Sequence, residues 1–397
     1  MAQVTCPYCY HRQDAAQLHY VCTGQAAPGM TPCMEIRDPD RQQRTGYALT
    51  AMPTFPPGTR ADGAGRAYCP EDGALSGVRA CMACHTPLPR ELLDGPSPLL
   101  GMVGRTASGK TVYLTVLNQQ LRDVVRRQFD ADVYLRGDQQ AGTHSVQEWL
   151  EQYERALFDR KQLLPPTPPG RRVPLVLQLR QEQRRRFRRS RLVSTILSFC
   201  DVAGEDLLTQ PKAMRQPYLA AANGLIVLLD AWQIPKVRTT QQVPPGQEEL
   251  RPLVQSVLSI VTDTLRDARV PEVRGKLATP IAVVVGKFDV VERLLPAQHY
   301  LCTAEPSGGP GYDEQFGSNV SEHLRKFLDS HGADDVDRHM ELNYTTYRYF
   351  AVSSLGAAPV QSNGRQEVPA GGVRPRHVAQ PLLWLLHKHD VIGRTGG

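Results

Sequence analysis

The chain has 397 residues, is 41% hydrophobic and carries a formal net charge of +6. That length supports a sizeable buried core and two domains more readily than one, and the charge is too modest to imply nucleic acid by itself. No stretch approaches the ~18 uninterrupted apolar residues of a membrane span, and the opening Met-Ala-Gln-Val-Thr-Cys lacks the basic and apolar regions of a secretion signal. A cytoplasmic protein is therefore expected, and its nine cysteines need an explanation other than disulfides. Only eight of the basic residues are Lys, an Arg bias that genome composition explains as well as function does.

The cysteines gather at the start of the chain. Cys6, Cys9, Cys22, Cys33, Cys69, Cys81 and Cys84 come first, and only Cys200 and Cys302 lie beyond. The segment to Ser97 is rich in Pro and Gly and lacks long periodic apolar runs, so it needs a staple. Cys6-Pro-Tyr-Cys9 and Cys81-Met-Ala-Cys84 are C-x2-C pairs, whose thiolates can face one tetrahedral ion from a tight turn. Cys69-Pro-Glu-Asp72-Gly73 has the same shape with Asp in the second ligand position. Two structural zinc sites are expected: Cys6, Cys9, Cys22 and Cys33 in one, Cys69, Asp72, Cys81 and Cys84 in the other, with His85 as the alternative to Asp72. Such closed sites leave no open coordination position, which points to stability and partner binding. Redox chemistry, an iron–sulfur cluster and free buried thiols are the competing readings. The linker-like Asp94-Gly95-Pro96-Ser97-Pro98 divides residues 1–97 from a second domain, 98–397.

From Leu99 onward strand and helix signals alternate. Strands are expected at 99–103, 173–179, 193–200, 224–230, 280–286 and 348–353. Helices are expected at 110–126, 145–158, 208–221, 247–268, 315–330 and 378–388. Alternation of this kind implies an α/β fold with a mostly parallel sheet covered by helices. Leu225 to Leu229 and Ile281 to Val285 are continuous apolar runs, as central parallel strands require. The runs 173–179 and 193–200 are joined by the Arg-rich stretch 180–191 and read as a hairpin. That stretch is either a solvated hairpin tip or a contact for nucleic acid, anionic lipid or an acidic partner. The segments 237–247, 302–312 and 356–375 read as surface loops. Pro381 to Leu386 is apolar, and a packed last helix explains it better than a membrane does.

The strand at 99–103 runs into Gly104-Arg105-Thr106-Ala107-Ser108-Gly109-Lys110-Thr111, and an apolar helix-like stretch follows. Strand, glycine loop and helix are the context of a phosphate-binding P-loop. The glycines let backbone N–H groups approach phosphate oxygens, and the helix N-terminus adds a favourable dipole. Lys110 is expected on the β- and γ-phosphates and the Thr111 hydroxyl on Mg2+. Gly104, Arg105, Ser108, Gly109 and Val112 complete the cradle. The next candidate strand ends in Asp201-Val-Ala-Gly204-Glu205. A carboxylate there suits a Mg2+ site, and the Gly204 N–H suits a γ-phosphate. The strand at 281–285 ends in Gly286-Lys287-Phe288-Asp289. Asp289 there can accept both N1–H and the exocyclic amine of guanine, a donor pair that adenine lacks, with Lys287 along the base face. The last strand runs into Ser353-Ser354-Leu355-Gly356, where the Ser354 N–H suits the guanine carbonyl.

The order of these four elements resembles the TRAFAC-class, Ras-like P-loop GTPases over about 290 residues, Leu99 to His389. The resemblance implies a three-layer fold with a mixed, mostly parallel six-stranded sheet containing one antiparallel strand. It also implies GTP, GDP and Mg2+ as ligands and slow GTP hydrolysis coupled to a switch. A switch Thr that closes over Mg2+ matches Thr167 best, with Thr143 as the alternative. Lys110, Glu205 and Thr167 are then the catalytic candidates. Two positions depart from the pattern. Glu205 stands where a water-positioning Gln is frequent, which leaves hydrolysis slow, partner-dependent or absent. Gly286 stands where an Asn or Thr ties the base-binding loop to the P-loop. A zinc-ribbon head on such a domain resembles the bacterial double-GTPase group, which implies protein partners in a multi-component conflict or signalling system, including a second GTPase on another chain. Two other classes stay open: a zinc-dependent nucleic-acid-binding protein with a degenerate nucleotide domain, and a P-loop ATPase, which Asp289 argues against.

Overall fold

A computed structural model describes residues 3–46, 50–58, 62, 65–93, 97–105, 107–129, 131–136, 146–163, 175–185, 188–201, 217–241, 257–309, 311–362, 365–369 and 371–394. The chain divides into two units. One comprises Met1–Leu99, Tyr134–Glu148 and Arg171–Cys200; the other comprises Leu100–Val133, Trp149–Gly170 and Asp201–Gly397. Two later segments thus group with the cysteine-rich start.

Among the described residues, seven strands form one sheet. They are β1 (Leu99–Gly104), β2 (Ala131–Arg136), β3 (Leu175–Arg185), β4 (Arg188–Asp201), β5 (Gly224–Asp230), β6 (Ile281–Gly286) and β7 (Tyr347–Ala351). Their order across the sheet is β2-β3-β4-β1-β5-β6-β7. The six strands expected from the sequence are all present, and the expected count of six is corrected to seven by β2 at the sheet edge. The sequence of β2, Ala-Asp-Val-Tyr-Leu-Arg, alternates in polarity, and Asp132 and Tyr134 are exposed. An edge strand of that kind lacks the continuous apolar run that marked the central ones.

In the first unit, β3 and β4 pair antiparallel from Leu175↔Phe199 to Arg185↔Arg188. The expected hairpin is therefore longer than its apolar runs, and the Arg-rich stretch lies within the strands as well as between them. The cysteine-rich segment holds only short pairings among its described residues. Gln3–Thr5 pairs with Arg12–Asp14, Ala67–Tyr68 with Leu75–Ser76, and His19–Val21 lies between Thr54–Phe55 and Arg79–Ala80. Strands this short bury little by themselves. The segment instead shares a core with the hairpin: Val4, Tyr8, Leu18, Leu88 and Leu92 pack with Val176 and Ile196. The Ser198 hydroxyl donates to the Pro7 carbonyl at 2.7 Å.

In the second unit, β1, β5, β6 and β7 pair parallel, with Gly104 opposite Leu228 and Asp230 opposite Gly286. Every residue of β5 and β6 is buried, as continuous Leu, Ile and Val runs require when both faces are covered. The helices that follow are α1 (Lys110–Phe129), α2 (Val146–Glu154), α3 (Pro217–Ala221), α4 (Ser259–Asp267), α5 (Phe288–Glu292), α6 (Glu314–Ser330), α7 (Asp334–Asn343) and α8 (Gln380–Lys388). Helix α6 is capped by Asp313, which accepts from the Phe316 N–H at 2.9 Å, and buries Phe316, Val320, Leu324, Phe327 and Leu328. Helix α8 packs on β5 and β6 and buries Pro381 through Leu386, so the apolar C-terminal stretch is a packed helix. No helix among the described residues is long and apolar enough to cross a membrane. Of the expected loops, 237–247 begins inside a short helix, Pro235–Thr240, and 356–375 carries a small hairpin, Val360–Ser362 with Arg365–Glu367.

Candidate functional site

Parallel strands bring their carboxyl ends to one edge of the sheet, the usual place for ligands in α/β folds. The second unit gathers the P-loop after β1, Asp230 at the end of β5, Lys287 and Asp289 after β6, and Ser353 and Ser354 after β7 along this edge.

The P-loop turns tightly. The Ser108 N–H donates to the Arg105 carbonyl at 3.2 Å and the Tyr113 N–H to Gly109 at 2.8 Å, which opens α1. Gly109 has a φ of +92°, a region that favours glycine. A Cβ on Gly104 would sit 2.8 Å from both the Leu228 carbonyl and the Ser108 hydroxyl oxygen. The Lys110 ammonium lies inside the loop and donates to the Gly104 and Arg105 carbonyls at 2.8 and 2.9 Å. The Ser108 hydroxyl and one Arg105 guanidinium nitrogen are buried with no hydrogen-bond partner among the described residues. Buried polar atoms of that kind call for an acceptor-rich ligand, and the loop fits a phosphate by this test. Thr111 and Val112 occupy the first turn of α1. The helix is anchored by its buried apolar face and by Tyr113, whose hydroxyl donates to the Val378 carbonyl at 2.9 Å. Burial pushes the Tyr113 phenol well above its usual range.

The base-recognition candidates are also drawn together. The Ser353 hydroxyl donates to an Asp289 carboxylate oxygen at 2.6 Å and accepts from the Gly356 N–H at 2.9 Å. Asp289 is only 9% exposed. Lys287 adopts a left-handed backbone with φ of +54°, which turns the chain from β6 into α5. Its ammonium donates to Asp230 at 2.6 Å. Asp230 is buried and also caps the following turn, accepting from the Trp232 N–H at 3.0 Å. At Gly286, the departure from the Asn/Thr pattern, a Cβ would meet Leu228 Cδ1 at 2.9 Å, so that side chain would have to shift. Glu292, on the same helix as Asp289, is raised above the ordinary carboxylate range by burial, although the Arg376 guanidinium pulls it down.

Asp201 ends β4, and its side chain lies outside the described residues. Thr167, Gly204 and Glu205 lie outside them altogether, as does the alternative Thr143.

The eight proposed zinc ligands do form two clusters, but the expected grouping is corrected. Cys6, Cys9, Cys81 and Cys84 form one, and Cys22, Cys33, Cys69 and Asp72 the other, each with its ligand atoms within 4.8 Å of one another. Cys6 and Cys84 sulfurs are 3.7 Å apart, as are those of Cys9 and Cys81. Four thiolates at about 2.3 Å from one tetrahedral ion are about 3.8 Å apart, so the spacing fits zinc. Knuckle N–H groups point at sulfur: Tyr8 to Cys6 and Ala83 to Cys81 at 3.4 Å, and Gly24 to Cys22 at 3.3 Å. The buried Gln13 accepts from the Met82 N–H at 3.0 Å, which joins the second knuckle to the first hairpin. In the other cluster the Cys33 and Ala74 N–H groups donate to Asp72 at 3.0 Å. Burial disfavours the Asp72 carboxylate, but these donors outweigh it and hold Asp72 well below its usual range. His85, the alternative to Asp72, is engaged elsewhere, with its Nδ1 2.8 Å from Asp38.

The sequence reading missed Asp230, Glu292 and Arg376. Asp230 carried a usable signal, an acidic residue closing a wholly apolar strand, the same signal that marked Asp201. The other two act across long sequence separations and carried none.

No family model matches the chain. It is 26% identical over 348 residues, 79% of this chain and 81% of the relative, to a Mycolicibacterium smegmatis protein named as an ESX-1 scaffolding and assembly protein, SaeC. Among solved structures it is similar to Sup35 complexed with GDP, at 11% identity over 69% of this chain, with a TM-score of 0.25. This chain spans 42% of that one. The Chaetomium thermophilum signal recognition particle receptor SRβ-GTP/SRX complex matches at 16% identity over 66% of this chain and 93% of that one, with a TM-score of 0.25. The Saccharomyces cerevisiae Ski7 GTPase-like domain bound to GTP matches at 10% identity over 76% of this chain and 53% of that one, with a TM-score of 0.29. Scores at this level do not establish a shared fold.

Proposed function

We propose that this chain is a guanine-nucleotide-binding switch protein with a structural zinc head. The observation that carries the reading is the Ser353–Asp289 hydrogen bond of 2.6 Å. It pre-orients a buried carboxylate at the same sheet edge as a P-loop whose lysine is already folded into the loop. Gly104, Arg105, Ser108, Gly109, Lys110 and Val112 would hold the phosphates, and Thr111 and Asp201 would hold Mg2+. Lys287, Asp289, Ser353 and the Ser354 N–H would hold guanine. Gly204 would meet the γ-phosphate, with Glu205 and Thr167 as the groups that set a slow, partner-dependent hydrolysis. Bound Mg2+ would supply charge neutralisation at the phosphates. In this reading the two cysteine clusters each hold zinc and stabilise a head that docks protein partners. The name of the Mycolicibacterium smegmatis relative favours a role in assembling a multi-protein system, and a second GTPase on another chain is a candidate partner.

The test is nucleotide affinity of the purified protein, using a fluorescent GTP analogue competed with GTP, GDP and ATP. Mg2+-dependent binding displaced by GTP and GDP but not by ATP supports the reading, and Asp289→Asn should weaken guanine binding selectively. Equal displacement by ATP, or no binding, removes it.

A further inference from the structure

The base-recognition turn is braced from behind by residues 374–376. Ser353 and Arg376 exchange both main-chain hydrogen bonds, at 3.2 and 2.8 Å, and the Arg374 N–H donates to the Leu355 carbonyl at 2.8 Å. Gly356, at φ +82°, lies so close to this strap that a Cβ would overlap the Arg374 carbonyl. The Arg376 side chain then reaches in another direction. Its guanidinium donates to Glu292 on α5, the short helix that carries Asp289. A second guanidinium nitrogen lies 3.7 Å from Glu305. The next residue, His377, places its Nε2 3.1 Å from the Ala304 carbonyl and its ring 5.1 Å from that of Phe316, which fixes the strap at its far end.

Arg376 thus touches both halves of the base site. Its main chain holds the turn that bears Ser353 and Ser354, and its side chain holds the helix that bears Asp289. The Arg376 and Glu292 side chains are each only about a quarter exposed, so the pair is screened less than a surface ion pair. Recognition of N1–H and the exocyclic amine by one carboxylate requires placement within about 0.5 Å. We propose that Arg376 is a positioning residue for guanine selectivity, acting by clamping the Asp289 helix to the Ser353 turn without touching the nucleotide. This rests on the guanine-nucleotide reading above.

The experiment compares affinities for GTP and ITP, because inosine lacks the exocyclic amine, in wild type, Arg376→Ala, Arg376→Lys, Glu292→Gln and the double variant Arg376→Ala/Glu292→Gln. The main-chain pairing of residue 376 with Ser353 persists in every Arg376 variant, so the series isolates the side-chain clamp. Thermal unfolding of each variant serves as the fold control. A loss of about tenfold in the GTP:ITP preference is expected for Arg376→Ala and Glu292→Gln. The double variant should be no worse than either single one, and Arg376→Lys should recover part of the loss. If Arg376→Ala does not fold, Glu292→Gln decides alone. A wild type that prefers GTP over both ITP and ATP, with that preference unchanged in folded Arg376→Ala or Glu292→Gln, overturns the clamp and leaves the nucleotide reading standing. A wild type with no preference for guanine over adenine nucleotides overturns the reading on which the clamp rests.

Discussion

The two units solve the same thermodynamic problem differently. In the second unit, β5 and β6 are buried along their whole length, and the backbone ladder and the apolar core come from the same residues. In the first, the head strands are two or three residues long. Its order is concentrated at two clusters of eight candidate ligand side chains in all and at a small core shared with the β3–β4 hairpin. A chain that cannot bury enough apolar surface per residue must concentrate its stabilisation in a few strong contacts. The difference should show in how each unit fails.

The largest effect should follow metal removal. Structural zinc contributes on the order of 10–16 kcal/mol of apparent binding energy in small domains. A strong chelator should abolish hydrogen-exchange protection in residues 3–93 while β5, β6 and β7 stay protected. Equal loss in both regions would show that the second unit also depends on the metal. The grouping has its own signature in native mass spectrometry. Cys9→Ser/Cys81→Ser should keep one zinc because both ligands serve one ion, whereas the grouping expected from the sequence would lose both.

A smaller effect should come from the core of the second unit. Leu225 is fully buried, and Leu225→Ala should cost about 2–5 kcal/mol of unfolding free energy. Met34 in the head is 75% exposed, and Met34→Ala should stay within about 0.5 kcal/mol. Denaturant midpoints measure both, and a comparable loss at Met34 would mean that the head hides an apolar contact.

Smaller again is Ser353→Ala, which removes a neutral donor from the Asp289 carboxylate. It should weaken guanine-nucleotide affinity by roughly 1 kcal/mol, about fivefold, with little change in global stability. An unchanged affinity would separate the Ser353–Asp289 bond from base recognition. A similarly small and purely local effect is expected of Ser198→Ala, which removes the hydroxyl bond to Pro7. A loss of about 0.5–1.5 kcal/mol should appear as faster hydrogen exchange around Cys6 to Cys9, and none at β6.

The sequence alone determined what depends on near neighbours. A glycine loop between an apolar strand and a helix, cysteines three residues apart, and runs such as Ile281 to Val285 each carry their signal within a few residues, because local backbone geometry and local burial produce them. The four candidate motifs fell at strand ends for the same reason, and parallel pairing then brought those of β1, β6 and β7 to one edge, together with Asp230 at the end of β5. Tertiary structure alone decided which cysteines cluster together. The Cys81 knuckle follows Arg79–Ala80, which pairs with His19 and Tyr20, and the Gln13–Met82 bond draws that knuckle onto the one at Cys6 and Cys9. Spacing along the chain says nothing about that pairing. The seventh strand, the Asp230–Lys287 ion pair and the Arg376 brace are of the same kind. Each joins residues far apart in sequence, and each forms only where non-local strand pairing and burial bring them together.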